Sequence, residues 1–149
     1  MARQVGGWLP SLTFTLDRVN TVIEIHDSAV ARIDEQQNDI VVDFLAAYLH
    51  KSEGRPGYDP GTGWRQEARL VFGDASVCGD FPDLPCVVMD GGLIVGGEQH
   101  DNEIPVPLAS AAVAELRLIF DAVHAVTVTG RGVRLQLCGE PRYVEDFKP

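Results

Sequence analysis

His26, Asp27 and Ser28 stand side by side in "IEIHDSAVARID", and together they are the three side-chain types of a serine hydrolase. A nucleophilic serine needs its histidine and carboxylate to converge in space, which sequence adjacency does not supply. Neighbouring residues of an extended chain point to opposite faces, so Asp27 is badly placed to orient His26. The G-x-S-x-G elbow is absent as well. The tripeptide therefore reads as a polar kink between two extended runs. Asp27 and Ser28 are expected to bond to nearby backbone, and His26 to pack or face solvent. His26 is kept as a contact residue and no residue is assigned a catalytic role.

The second concentration of donor atoms is "GGEQHDNEIP", with Glu98, His100, Asp101, Asn102 and Glu103. Carboxylates and imidazole suit divalent cations. Neither the EF-hand order nor an H-E-x-x-H pair is present, so the stretch reads as a solvated acidic loop. Glu98, His100 and Asp101 are its candidates for touching a partner or ligand. "GGLIVGG" matches no phosphate-binding glycine pattern, no lysine follows it, and its glycines read as turn residues. Cys78, Cys86 and Cys138 are odd in number and lack C-x-x-C spacing, which argues against a disulfide framework and a zinc site. Reduced thiols point to a cytoplasmic protein. No metal site and no cofactor are expected. Among the aromatics, Trp64 reads mainly as a packing anchor and a secondary ligand-binding candidate. Tyr143, among the charges of "GEPRYVEDF", is either an interface residue or a cap on one end of the fold.

The elements that must position these groups follow a period of two. Ile40, Val42, Phe44, Ala46 and Tyr48 alternate with Val41, Asp43, Leu45, Ala47 and Leu49. Ala68, Leu70 and Phe72 form another such face, and so do Val133, Leu135 and Leu137. "AVTVTGRGVRLQL" predicts an antiparallel hairpin over 125–138, turning at Gly130-Arg131-Gly132. "KSEGRPGYDPGTGW" predicts an exposed loop between strands, and Leu93–Val95 a short strand. "PLASAAVAELRLIFDAV" supports a strand from about 113 to 120 or a helix near 108–120; the strand is preferred because the rest of the chain alternates. The expected fold is all-β: residues 1–149 as a single-domain antiparallel β-sandwich or partly open barrel, with α+β as the alternative. Its expected core is Phe14, Val22, Ile33, Ile40, Val42, Phe44, Leu70, Phe72, Val88, Leu116, Leu118, Val126, Val128, Leu135 and Leu137.

Ile25-His26-Asp27-Ser28, Ile33, Asp39-Ile40-Val41-Val42 and Leu70-Val71-Phe72-Gly73-Asp74-Ala75 resemble a diffuse set of small bacterial β-sandwich proteins, some associated with toxin-immunity loci. The resemblance spans about a third of the chain. It implies a small β fold and a binding role, and transfers no functional residue. Charge agrees with a binding role. Twelve Lys and Arg face twenty-two Asp and Glu, a net charge of −10. Such a surface repels nucleic acid and anionic membranes, and suits a basic protein partner. No apolar run is long enough to cross a membrane as a helix, and the N-terminus lacks the apolar core of a secretory signal. The function expected is that of a small, acidic, non-enzymatic protein-interaction domain. The alternatives are a small-molecule or carbohydrate-binding sandwich, or an enzyme whose site is assembled from distant residues. A homodimer through the strand at 113–120, with Glu115 and Arg117 on a free edge, is a further expectation.

Overall fold

Alternating apolar residues need a second layer to cover them, and here one long sheet supplies both layers by curling over itself. The computed structural model describes residues 19–149. Ten strands follow one another: β1 (Asn20–Gln36), β2 (Asp39–Ser52), β3 (Gly61–Phe72), β4 (Ser76–Asp80), β5 (Cys86–Val87), β6 (Asp90–Val95), β7 (Glu98–Asp101), β8 (Glu103–Val106), β9 (Ala109–Ile119) and β10 (Ala125–Phe147). They form one antiparallel sheet in the order β5-β1-β2-β3-β10-β9-β6-β7; β4 also pairs with β10, and β8 with β1. The sheet is not closed into a barrel. No helix occurs among the described residues, so the segment from Ala109 to Ile119 is strand. No helix there is long and apolar enough to cross a membrane.

The core lies between β1-β2-β3 and β10-β9-β6. Ile40, Val42, Phe44, Leu70, Phe72, Val88, Leu116, Leu118, Val126 and Val128 are buried in it, as their alternation requires. Ile33 and Leu135 pack against it from its margin, while Val22 lies outside it and Leu137 is exposed. Phe14 lies outside the described residues. Ile23, Ile25, Val30, Leu49, Leu93, Ile104 and Phe120 are among the core residues that the alternation had not marked.

A seam of bulges crosses the sheet and explains the shifted faces. Pairing of β1 with β2 breaks between Glu24 and Ala29, that of β2 with β3 between Phe44 and Ala47, and that of β10 with β3 between Cys138 and Arg142. An odd number of extra residues hands the core to the opposite parity: residues 25–28 of β1 stand opposite residue 47 alone, and residues 45–46 of β2 opposite residue 67 alone. In β1 the buried residues change from Ile23 and Ile25 to Ser28 and Val30. In β2 they change from Ile40, Val42 and Phe44 to Ala47 and Leu49, which turns Tyr48 and His50 to the other face.

Three expectations are corrected. There is no hairpin at 130–132, because Ala125–Phe147 is one continuous strand. Its glycines serve a close approach instead: a Cβ on Gly130 would sit 2.9 Å from the Gly73 carbonyl, and Gly132 has φ +122°. There β10 passes from β9 and β4 to β3. The acidic stretch is no loop, since Gly96-Gly97 turns β6 into β7, and β8 follows after one residue, Asn102. Finally, β9 is an interior strand between β10 and β6, so Glu115 and Arg117 guard no edge.

Candidate functional site

The bulge in β1 is the most constrained polar feature on the sheet. Ser28 is fully buried; its hydroxyl donates to the Glu24 carbonyl at 2.6 Å and accepts the Tyr48 N–H at 3.0 Å. It thereby replaces the ladder bonds that the bulge removes. Asp27 takes φ 73°, a left-handed conformation that costs a non-glycine residue energy. Neighbours hold it there. The His26 N–H donates to Asn102 Oδ1 at 2.7 Å, the Asp27 N–H to the Val88 carbonyl at 3.1 Å, and Arg65 donates to the Asp27 carbonyl at 2.6 Å.

Broken alternation brings together side chains that a regular strand would separate. His26 Nδ1 lies 3.2 Å from Asp27 Oδ2 and 3.6 Å from Glu24 Oε2. The Asp27 carboxylate thus lies beside the imidazole, on the side that regular strand geometry would deny it. His26 is half exposed, and Ser28 lies under the sheet and cannot reach it as a nucleophile. The other Glu24 oxygen, Oε1, is 2.9 Å from His50 Nε2. His50 sits in the outer-face row of β2, edge-on to both Tyr48 and Phe147. Tyr48 donates to Glu145 at 2.6 Å, and the Arg65 guanidinium stacks over its ring. Two histidines far apart in sequence thus share one carboxylate. Only the period-two rows of β1 and β2 hinted at this, and the bulges had disguised them.

The charges follow from these contacts. The hydrogen bond from His50 holds the Glu24 carboxyl below its ordinary value of 4.5, against partial burial. For Asp43, burial pushes upward, but hydrogen bonds from Arg69 and Arg32 outweigh it and leave the carboxyl below 3.8. Burial and the bond to Glu145 push the Tyr48 phenol upward. A carboxyl depressed by folding stabilises the fold above its unfolded pKa, and that stabilisation is lost as pH falls through the lower folded value. Stability is therefore expected to decline below about pH 4.5, the usual carboxylate range. Urea melts from pH 6 to pH 3 should show a shallower acid slope in the double variant Glu24→Gln, Asp43→Asn; an unchanged slope would refute these assignments.

The remaining sequence candidates fall elsewhere. Trp64 and Tyr143 meet edge-on at 5.5 Å, with Lys51 over the indole, on the sheet face opposite His50. Tyr143 is exposed and bonds to Asp146. Glu98, His100 and Asp101 lie on β7; His100 and Asp101 line a shallow depression with Asp90, Glu115 and Arg117, made by the missing side chain of Gly92. Glu98 approaches His100 only to 3.9 Å. Asn102 links that strand to the bulge, since its carbonyl also accepts the Ile25 N–H.

A different surface was not foreseen. The segment from Asp80 to Asp90 runs from beside Ala125, past Ala29, to beside Ile119. Phe81, Val87 and Met89 project from it, each 44–56% exposed, and Val123 projects from the adjoining turn at 70%. Asp80, Asp83, Asp90 and Asp121 stand among them, and neither 80–90 nor 119–124 contains Lys or Arg. Hydrogen bonds from His124 and the Val123 N–H keep Asp121 ionised. Alternation within Cys86–Met89 had marked only Val88 as core, and nothing local showed that Val123 would join the exposed pair. No protein-family model matches the chain, and no curated protein or solved structure is similar to it.

Proposed function

We propose that this chain is a non-enzymatic interaction domain that docks a basic protein on the end formed by 80–90 and 119–124. The supporting observation is that Phe81, Val87, Met89 and Val123, all exposed, lie on two adjoining segments that also carry Asp80, Asp83, Asp90 and Asp121 and no Lys or Arg. Exposed apolar side chains ringed by polar ones mark contact surfaces. The four carboxylates favour a partner rich in Lys and Arg and speed its approach. A basic toxin of the kind that an immunity protein neutralises has this chemistry, in keeping with the resemblance around Ile25–Ser28.

The test compares the wild-type chain with Met89→Lys/Val123→Lys, immobilised in parallel and exposed to extract of the source cell at low and moderate salt. The expected result is a basic protein, identified by mass spectrometry, retained by the wild type with weaker retention at higher salt. The variant should lose at least about tenfold in retention, because each change removes apolar area and adds a repelling charge. Both positions are exposed, so its melting midpoint should match the wild type. Retention of no protein, of an acidic one, or equal retention by the variant sinks the reading.

A further inference from the structure

We propose that Glu24, His26 and Asp27 form a divalent-metal site of zinc type on the β1 bulge, where sequence reasoning placed none. The three donor atoms lie within 4.8 Å of one another. The imidazole Nδ1 is 3.2 Å from one carboxylate oxygen and 3.6 Å from the other. Ligand bonds of about 2.0–2.2 Å at tetrahedral angles put donors about 3.3–3.6 Å apart, so two of the three separations already suit a Zn2+ ion. One imidazole and two carboxylates suit a borderline cation better than a thiolate-seeking or an all-oxygen one. Three protein ligands leave one position to water, as the half-exposed setting of His26 and Asp27 permits.

An independent observation comes from behind the cluster. The His50 side chain is 7% exposed and aims Nε2 at Glu24 Oε1, while its buried Nδ1 has no hydrogen-bond partner among the described residues. A buried imidazole with only one nitrogen bonded is costly unless that one bond is worth making. Holding a carboxylate so that its second oxygen faces a cation is the role outer groups play around metal ligands. Here Glu24 Oε1 is held by His50, and Oε2 is turned toward His26. The backbone is equally fixed. Asn102 and Val88 bond the N–H groups of His26 and Asp27, and Arg65 spends its guanidinium on the Asp27 carbonyl rather than on the carboxylate. The strained φ of Asp27 is what brings its carboxylate to the same side as His26.

Zn2+ alone is the probe, titrated by calorimetry into chain stripped with chelator, at a pH where histidine is neutral and with a thiol-blocking reagent to silence the cysteines. One ion per chain should bind. His26→Ala and Asp27→Gly should each weaken Kd by at least about tenfold, and His50→Gln by about tenfold as an orienting residue. His124→Ala, removing a histidine that pairs with Asp121 and belongs to no part of the cluster, should change nothing. Asp27→Gly keeps the test decisive on folding, because glycine accepts φ 73° and its melting midpoint should equal or exceed that of the wild type. Saturating Zn2+ should raise the midpoint of the wild type and not of Asp27→Gly. No binding, or binding that survives both His26→Ala and Asp27→Gly, overturns the proposal.

Discussion

Replacing Ser28 by Ala lowers the stability of the fold by about 2–4 kcal/mol. The hydroxyl makes two bonds, to the Glu24 carbonyl and from the Tyr48 N–H, in a place with no exposed surface. Alanine fills nearly the same volume but leaves a buried donor and acceptor unpaired, at about 1–3 kcal/mol each. Compensation by neighbouring strands is unavailable, because the pairing of β1 and β2 is already interrupted from Glu24 to Ala29. Urea melts should show a lower midpoint at unchanged slope, since the surface exposed on unfolding stays the same. Hydrogen exchange should show faster loss of the Tyr48 amide than of amides at Val42 or Leu70. A change below about 0.5 kcal/mol, the usual limit for a surface substitution, would mean that the bulge is held by something else. The same variant loosens the strand that presents His26 and Asp27.

Phe72→Ala has the larger effect, about 3–5 kcal/mol. Phe72 is fully buried near the end of β3, with Ile40 on one side and Val133 on the other. Its Cβ lies where a side chain on Gly130 would come within 3.0 Å, so the two halves of the sheet close over it. Truncation leaves a cavity that long strands on either side cannot collapse into without breaking register. Typical domains have only about 5–15 kcal/mol of stability in all, so this variant should unfold at much lower urea or accumulate poorly. Gly130→Ala is a separate check on the same region. Its added methyl meets the Gly73 carbonyl at 2.9 Å and Phe72 Cβ at 3.0 Å, and should destabilise by about 1–3 kcal/mol through overpacking. If Phe72→Ala melts within 1 kcal/mol of wild type, as about the threshold for an ordinary substitution, the core assignment at β3 is wrong.

The residues pointed to an all-β fold, with only the segment at 108–120 left open between strand and helix. Alternation in 40–44, 68–72 and 113–120 can be satisfied only by strands with one face covered, and helix propensity in 109–119 is too small a preference to resist that covering. The loop expected over 51–64 was legible in its middle, 53–60, where two prolines lack the N–H a ladder needs; Gly61 and Gly63 at its end do pair, with Ser52 and His50, and begin β3. Charge balance likewise needs no coordinates. Gly130-Arg131-Gly132 was not decidable locally, because glycine serves a turn and a close backbone approach equally well; the neighbour that decides, the Gly73 carbonyl, lies 57 residues away (130 − 73).

The identity of the site, by contrast, depends on how the strands pair. A bulge has no compositional mark, yet an odd number of extra residues reverses which face every later residue occupies. In β1 it places His26 and Asp27 on one side with Glu24 and sends Ser28 inward; in β2 it brings His50 round to the same carboxylate. The tripeptide was readable as a kink, since Asp and Ser offer the backbone local bonds. Its partners were not, because Asn102, Val88, Arg65 and His50 come from four other strands or turns. Chemistry in a sheet protein depends on which rows face each other, and here the seam that sets those rows exists only once the strands have paired.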